Sequence, residues 1–185
     1  MTLEEMRLDC SIKQKKGLHF ILASIIIWSV VTCIHFTSLL ILSKNFLTFC
    51  STAALMPLAY MISRMIKVDF TNKGNPLTNL GLLVSFNQML YLLIAMWVYP
   101  TVPEKMVMIV AMIFGAHLLP YGWLYQSKSY MVMSVIIPII ALIIGINSPP
   151  YMVAGIMVLV VVLFSLLLVF EVKRRPRIVK LVGIT

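Results

Sequence analysis

The chain has 185 residues, 61% of them hydrophobic and only 11% charged, and its mean hydropathy is +1.01. A water-soluble domain carries about 45–50% apolar and about 25% charged residues, so a soluble enzyme, a disordered tail, a collagen-like fibre and a disulfide scaffold are excluded. Fifteen Lys+Arg against six Asp+Glu leave a formal net charge of +9. The basic residues stand at the ends of apolar runs, so the anion they meet is the lipid headgroup and not nucleic acid.

Residues 1–17 open the chain with Thr2-x-x-Glu5, a capping-box spacing, and with Leu3, Met6 and Cys10 at helical intervals. They read as a short helix on the inner membrane surface, with a frayed tail as the alternative. They do not read as a cleavable signal, because Glu4, Glu5 and Asp9 precede an apolar run too long for an h-region. Six apolar runs follow, 18–42, 46–63, 80–99, 106–125, 130–146 and 152–170. At about 20 residues per crossing, each is a span. Only Ser43-Lys44-Asn45 divides the first two, which predicts a tight helical hairpin there; Pro138 falls inside the short fifth run. A basic segment, Lys173-Arg174-Arg175-Pro176-Arg177, closes the chain and reads as a topology anchor in contact with anionic headgroups. The expected architecture is an all-α, polytopic bundle of six transmembrane helices over residues 18–171, followed by a basic tail over 172–185.

Counting Lys and Arg over the short connections gives the orientation. The N-terminal segment, the connections after spans two and four, and the C-terminal tail together carry thirteen; the opposite side carries only Lys44 and Lys105. Both termini are therefore expected in the cytoplasm.

Polar groups at bilayer depth face a bundle interior or a cavity. At about 100° per residue, span three places Asn87, Gln88 and Tyr91 on one arc, and span four aligns Phe114, His117, Tyr121 and Tyr125. Span one aligns Ser24, Trp28, Thr32 and His35. By helix rise, Asn87 and His117 lie about 2–4 Å to the cytoplasmic side of their span centres and His35 about 7 Å to the outer side. The expectation is that Asn87 or Gln88 hydrogen-bonds to His117 or Tyr121, and that His117 matters more to the fold than His35. His19 reads as a headgroup-level residue, Asn79 as a helix-start residue, and Trp97, Tyr99, Trp123 and Tyr125 as interface-belt aromatics. Pro57, Pro120 and Pro138 free the carbonyls of Ala53, Ala116 and Ser134.

The three cysteines form no C-x-x-C pair, and neither His35 nor His117 has a ligand partner at i+3 or i+4. No metal and no cofactor are therefore expected. No span holds a mid-depth Asp or Glu, which disfavours an ion-coupled pump, and no hydrolase, P-loop or dinucleotide motif is present.

The segments Gln14-Lys15-Lys16-Gly17, Asn75-Pro76-Leu77, Asn87-Gln88-Met89-Leu90-Tyr91, Pro103-Glu104-Lys105 and Gly115-Ala116-His117-Leu118-Leu119-Pro120-Tyr121 resemble a family of small bacterial integral membrane proteins of unknown function. The resemblance implies a multi-pass protein of a bacterial plasma membrane and carries over no activity, substrate or catalytic residue. Three functions compete. A site lined by Asn87, Gln88, Tyr91, His117 and Tyr121 would bind or pass a small polar solute. The same groups would only fix helix packing in an accessory protein. An intramembrane enzyme using His117 as acid or base ranks lowest. The expected partners are the bilayer, its anionic headgroups and, against the apolar sixth span, lipid or another copy of the chain. Thiol labelling of single introduced cysteines should place positions beside Lys73 and Lys128 inside and those beside Lys44, Lys105 and Ser148 outside. Termini on opposite sides would contradict six spans.

Overall fold

A computed structural model describes residues 1–181, with side chains through Arg174 apart from Met89. The helices are α1 (Leu3–Lys13), α2 (Leu18–Phe36), α3 (Ile41–Ala53), α4 (Leu55–Met65), α5 (Leu77–Thr101), α6 (Met106–Leu124), α7 (Lys128–Asn147) and α8 (Pro150–Leu181). Single 3-10 turns stand at Lys15–Gly17 and Pro103–Lys105, and no strand occurs among the described residues. Six helical segments, α3 and α4 counting as one, are long and apolar enough to cross a membrane. The chain is an all-α, multi-pass membrane protein. Lys173 and Arg174 are exposed at the end of span six; the side chains of Arg175 and Arg177 lie outside the described residues.

The first hairpin turns earlier than the charge pattern predicts. α2 stops at Phe36, where the Thr37 hydroxyl bonds Ile34 O at 2.7 Å, and Ser43-Lys44-Asn45 already belongs to α3. Lys44 is not a loop residue because its ammonium reaches back to His35 O at 3.3 Å, capping α2. The second span breaks at Ala54, three residues before Pro57, where proline removes one ladder bond and crowds the carbonyl of Ala53.

α2, α6, α7 and α8 make the core. α6 and α7 approach most closely at glycines: a Cβ on Gly115 would meet Pro138 Cδ at 2.5 Å, and one on Gly145 would meet Met108 Cγ at 2.4 Å. Lipid tails exert no hydrophobic drive between helices, so such close backbone approach carries the packing. α8 buries Val153, Ala154, Met157, Val161, Phe164 and Leu168 at helical spacing, and leaves Leu159, Leu163, Leu166 and Phe170 exposed. It thus keeps an outward apolar face. The periphery is thinner. Only 17% of the apolar stretch of α3–α4 and 12% of that of α5 is buried, against 50% for the first span.

α1 forms behind the expected capping box, with Thr2 and Glu5 bonding each other's backbone. It docks on the end of the bundle. Asp9 accepts from Asn72 Nδ2 at 3.0 Å and Asn75 Nδ2 at 2.8 Å and pairs with Lys13 at 2.7 Å. Burial raises the Asp9 pKa, but the bonds from Asn72, Lys13 and Asn75 outweigh it and hold the carboxyl below its ordinary value. Asn75 Oδ1 also accepts from Leu77 N at 3.0 Å. Asn75, not Asn79, therefore starts α5; one residue upstream of a proline, its short side chain can fold back on the backbone.

Between α1 and α2 the chain reverses through Lys15, Lys16 and Gly17, with φ of 44°, 54° and 68°. A Cβ at Gly17 would stand 3.0 Å from the ring of Tyr125 and 3.0 Å from the hydroxyl of Tyr130, so glycine is required for both conformation and space. This turn aims Lys15 at Ile66 O, 2.5 Å away at the end of α4, and Lys16 into the bundle.

Candidate functional site

A cavity of about 240 Å³ lies at mid-membrane among α2, α3, α4, α5 and α6. Its walls are chiefly Ile27, Trp28, Val31, Phe49, Leu92 and Phe114, with Ser24, Thr52 and Gln88 as the polar members. Amphipathicity explains the polar placements. On α2 and α3, a short hydroxyl returned to its own helix costs little in hydrocarbon: Ser24 bonds Phe20 O at 2.9 Å and Thr52 bonds Phe49 O at 2.7 Å. The Gln88 amide makes no hydrogen bond among the described residues, so it is the polar side chain left free to meet a guest. Ala53, another wall residue, is exposed.

The structure divides the five residues read as one site. Gln88 lines the cavity. Asn87, one residue and about 100° away, is exposed on the outer side of α5 and donates to Tyr91 Oη at 3.0 Å. His117 and Tyr121 lie on one face of α6 with ring centroids 5.1 Å apart and planes tilted by 58°. Tyr121 Oη donates to Gly81 O at 2.9 Å and pairs with Ser85 Oγ at 2.5 Å. The expected bond from Asn87 or Gln88 to His117 or Tyr121 is therefore not made. Ser85 and the Gly81 carbonyl, one and two turns earlier on α5, take the place of the amides opposite Tyr121.

The histidines depart from expectation too. His117 Nε2 is buried without a hydrogen-bond partner, whereas His35 Nε2 meets Thr48 Oγ1 at 3.2 Å across the first hairpin. His19, at the start of α2, is 2% exposed and packed against Phe20 and Phe70 with centroids 4.4 and 5.4 Å away. Tyr125 is likewise buried, its hydroxyl donating to Gln14 Oε1 at 2.8 Å, while Trp97 and Trp123 are exposed as belt residues should be.

Reading by span depth also passes over Glu171. Its carboxylate takes Lys16 Nζ at 2.5 Å and Ser127 Oγ at 2.7 Å on Oε2, and Ser129 N at 2.9 Å and Ser129 Oγ at 2.6 Å on Oε1. It ties the α1–α2 turn, the start of α7 and the end of the apolar run of α8 together. The signal was present: a lone carboxylate closing an apolar span, with Ser127-x-Ser129 at the same boundary. Among the described residues no three His, Cys, Asp or Glu side chains gather as a metal site.

The chain belongs to a family of unknown function, DUF7010, whose pattern matches residues 3–171. The match thus runs from the start of α1 to Glu171 itself. No curated protein and no solved structure matches the chain.

These contacts reverse the expected ranking of the histidines. His35→Leu should lower unfolding free energy by about 1 kcal/mol, because it strands the bond to Thr48, whereas His117→Leu should be neutral or stabilising, because it removes a buried unmet nitrogen. Unfolding of the two variants in mixed micelles by SDS titration measures the difference. A larger loss for His117→Leu would contradict the geometry.

Proposed function

We propose that this protein binds a small molecule with an apolar body and one polar group in the cavity beside Gln88, taking it from the lipid and moving it across a bacterial plasma membrane. The observation that carries this reading is a mid-membrane cavity with apolar walls and one uncommitted amide. Ligand sites of this kind pair a hydrophobic lining with few polar groups that fix orientation. A fully hydrated solute would lose several water contacts and regain few, at a cost of several kcal/mol. The amphiphile is therefore favoured over the polar solute, which would need Asn87, Tyr91, His117 and Tyr121 to face the same space. The bacterial setting rests on the resemblance of the Gln14–Gly17, Asn87–Tyr91 and Gly115–Tyr121 segments.

A second reading, that of a non-catalytic accessory protein, draws on the bonds of Tyr121 to Ser85 and Gly81 and of His35 to Thr48. In it, intramembrane polar groups only join helices. One experiment separates the two. With Trp97→Phe and Trp123→Phe, Trp28 on the cavity wall becomes the sole indole, and 6-bromohexanol serves as quencher in nanodiscs. Saturable quenching that Thr52→Phe abolishes and Gln88→Leu weakens about fivefold is expected. Quenching that rises linearly and ignores Thr52→Phe would leave the accessory reading standing.

A further inference from the structure

The outward face of α5 carries Leu83, Asn87, Leu90, Ile94 and Trp97, at intervals of four, three, four and three residues. This is the a/d repeat of a two-stranded helical seam. Leu83, Leu90, Ile94 and Trp97 are 64%, 62%, 51% and 66% exposed, and Asn87 is exposed between them. The inward positions are occupied otherwise, by Gln88 and Leu92 at the cavity and by buried Ala95 and Val98.

Asn87 lies about 3 Å from the midpoint of α5 by helix rise. Its bond to Tyr91 uses one N–H, and leaves the amide carbonyl, the second N–H and the tyrosine O–H to be met. Hydrocarbon can meet none of them, and unpaired polar groups at this depth cost several kcal/mol. A partner is therefore needed on a face that the chain's own helices do not cover.

We infer that this face is the seam of a homodimer in which Asn87 of one copy hydrogen-bonds Asn87 of the other. All copies enter the membrane with the same charge bias and so share one orientation. A twofold axis between them must then run along the membrane normal, which sets the two α5 helices parallel and brings Asn87 opposite Asn87 at equal depth. An amide both donates and accepts, so the pair is self-complementary. A single asparagine at a central a position fixes register and two-strandedness in helical seams generally. A foreign helix would have to bring a polar group to this depth; a second copy does so by symmetry. The inference uses α5's outer face and does not depend on the cavity.

The test uses the full chain with the exposed Cys33 and Cys50 replaced by Ala, in vesicles of phosphatidylethanolamine and phosphatidylglycerol at low protein density. Leu90→Cys should cross-link oxidatively to a dimer, and Leu163→Cys on the exposed face of α8 should not. Adding Asn87→Leu, an exposed position that the monomer's fold does not rely on, should weaken association about tenfold, within the range for intramembrane polar contacts. Single-molecule photobleaching of the same samples reads the stoichiometry directly. One-step bleaching at all densities, equal cross-linking from α8, or a dimer undiminished by Asn87→Leu would each overturn the inference.

Discussion

A helix that ends at a membrane boundary leaves its last carbonyls without partners, and four basic side chains of this protein, Arg7, Lys15, Lys44 and Lys105, are spent on those carbonyls. Lys44 caps α2 at His35 O, Lys15 caps α4 at Ile66 O, and Arg7 caps α6 at Trp123 O while lying over the Trp123 ring, 4.4 Å from its centroid. Lys105 meets Gly145 O and Ile146 O at 2.8 and 2.7 Å, closing α7. Beyond α5, Asn45 Nδ2 supplies Pro103 O at 2.8 Å. Each cation also faces the negative end of a helix dipole. A charge-assisted bond of this kind contributes about 1.5–3 kcal/mol, enough in sum to decide how the spans stand against one another.

This use of charge explains why α1 exists in the form it does. Arg7, Lys13, Lys15 and Lys16 come from one short helix and its left-handed turn, yet they reach the ends of α4 and α6, the α4–α5 connection and Glu171 of α8. The segment is a plate that closes one end of the bundle. The core spans are tied there and at the glycine contacts of α6 with α7, whereas the α3–α4 and α5 segments, held at the same end by Lys15 and Asp9, bury much less of their apolar length. The cavity beside Gln88 and the open outer face of α5 both lie in this sparsely buried part of the bundle.

The spans, their number and the capping box were legible because apolar length and local spacing carry them. The hairpin at residues 37–40 was not, since Lys44 and Asn45 look like loop residues until the carbonyls they serve are in view. The polar site was legible only as a set of residues at the right depth. Which face Asn87 and Gln88 take depends on how α5 leans on α6, and Ser85, a residue that attracts no notice in the sequence, makes the contact expected of the amides. Glu171 and Lys16 are 155 residues apart. No local pattern joins them, although both sit in segments that depth and composition place at the same boundary.

Lys105, one of the two lysines that break the charge bias, gives the most direct test of the capping account. If lysines here served only to orient the chain, Lys105→Met would remove an outward charge and leave stability unchanged or improved. The capping account predicts instead that Lys105→Met lowers unfolding free energy, measured by SDS titration in mixed micelles, by about 1.5–3 kcal/mol, while Lys128→Met, at an exposed position, changes it little. Equal values for the two variants, or no loss with Lys105→Met, would contradict it.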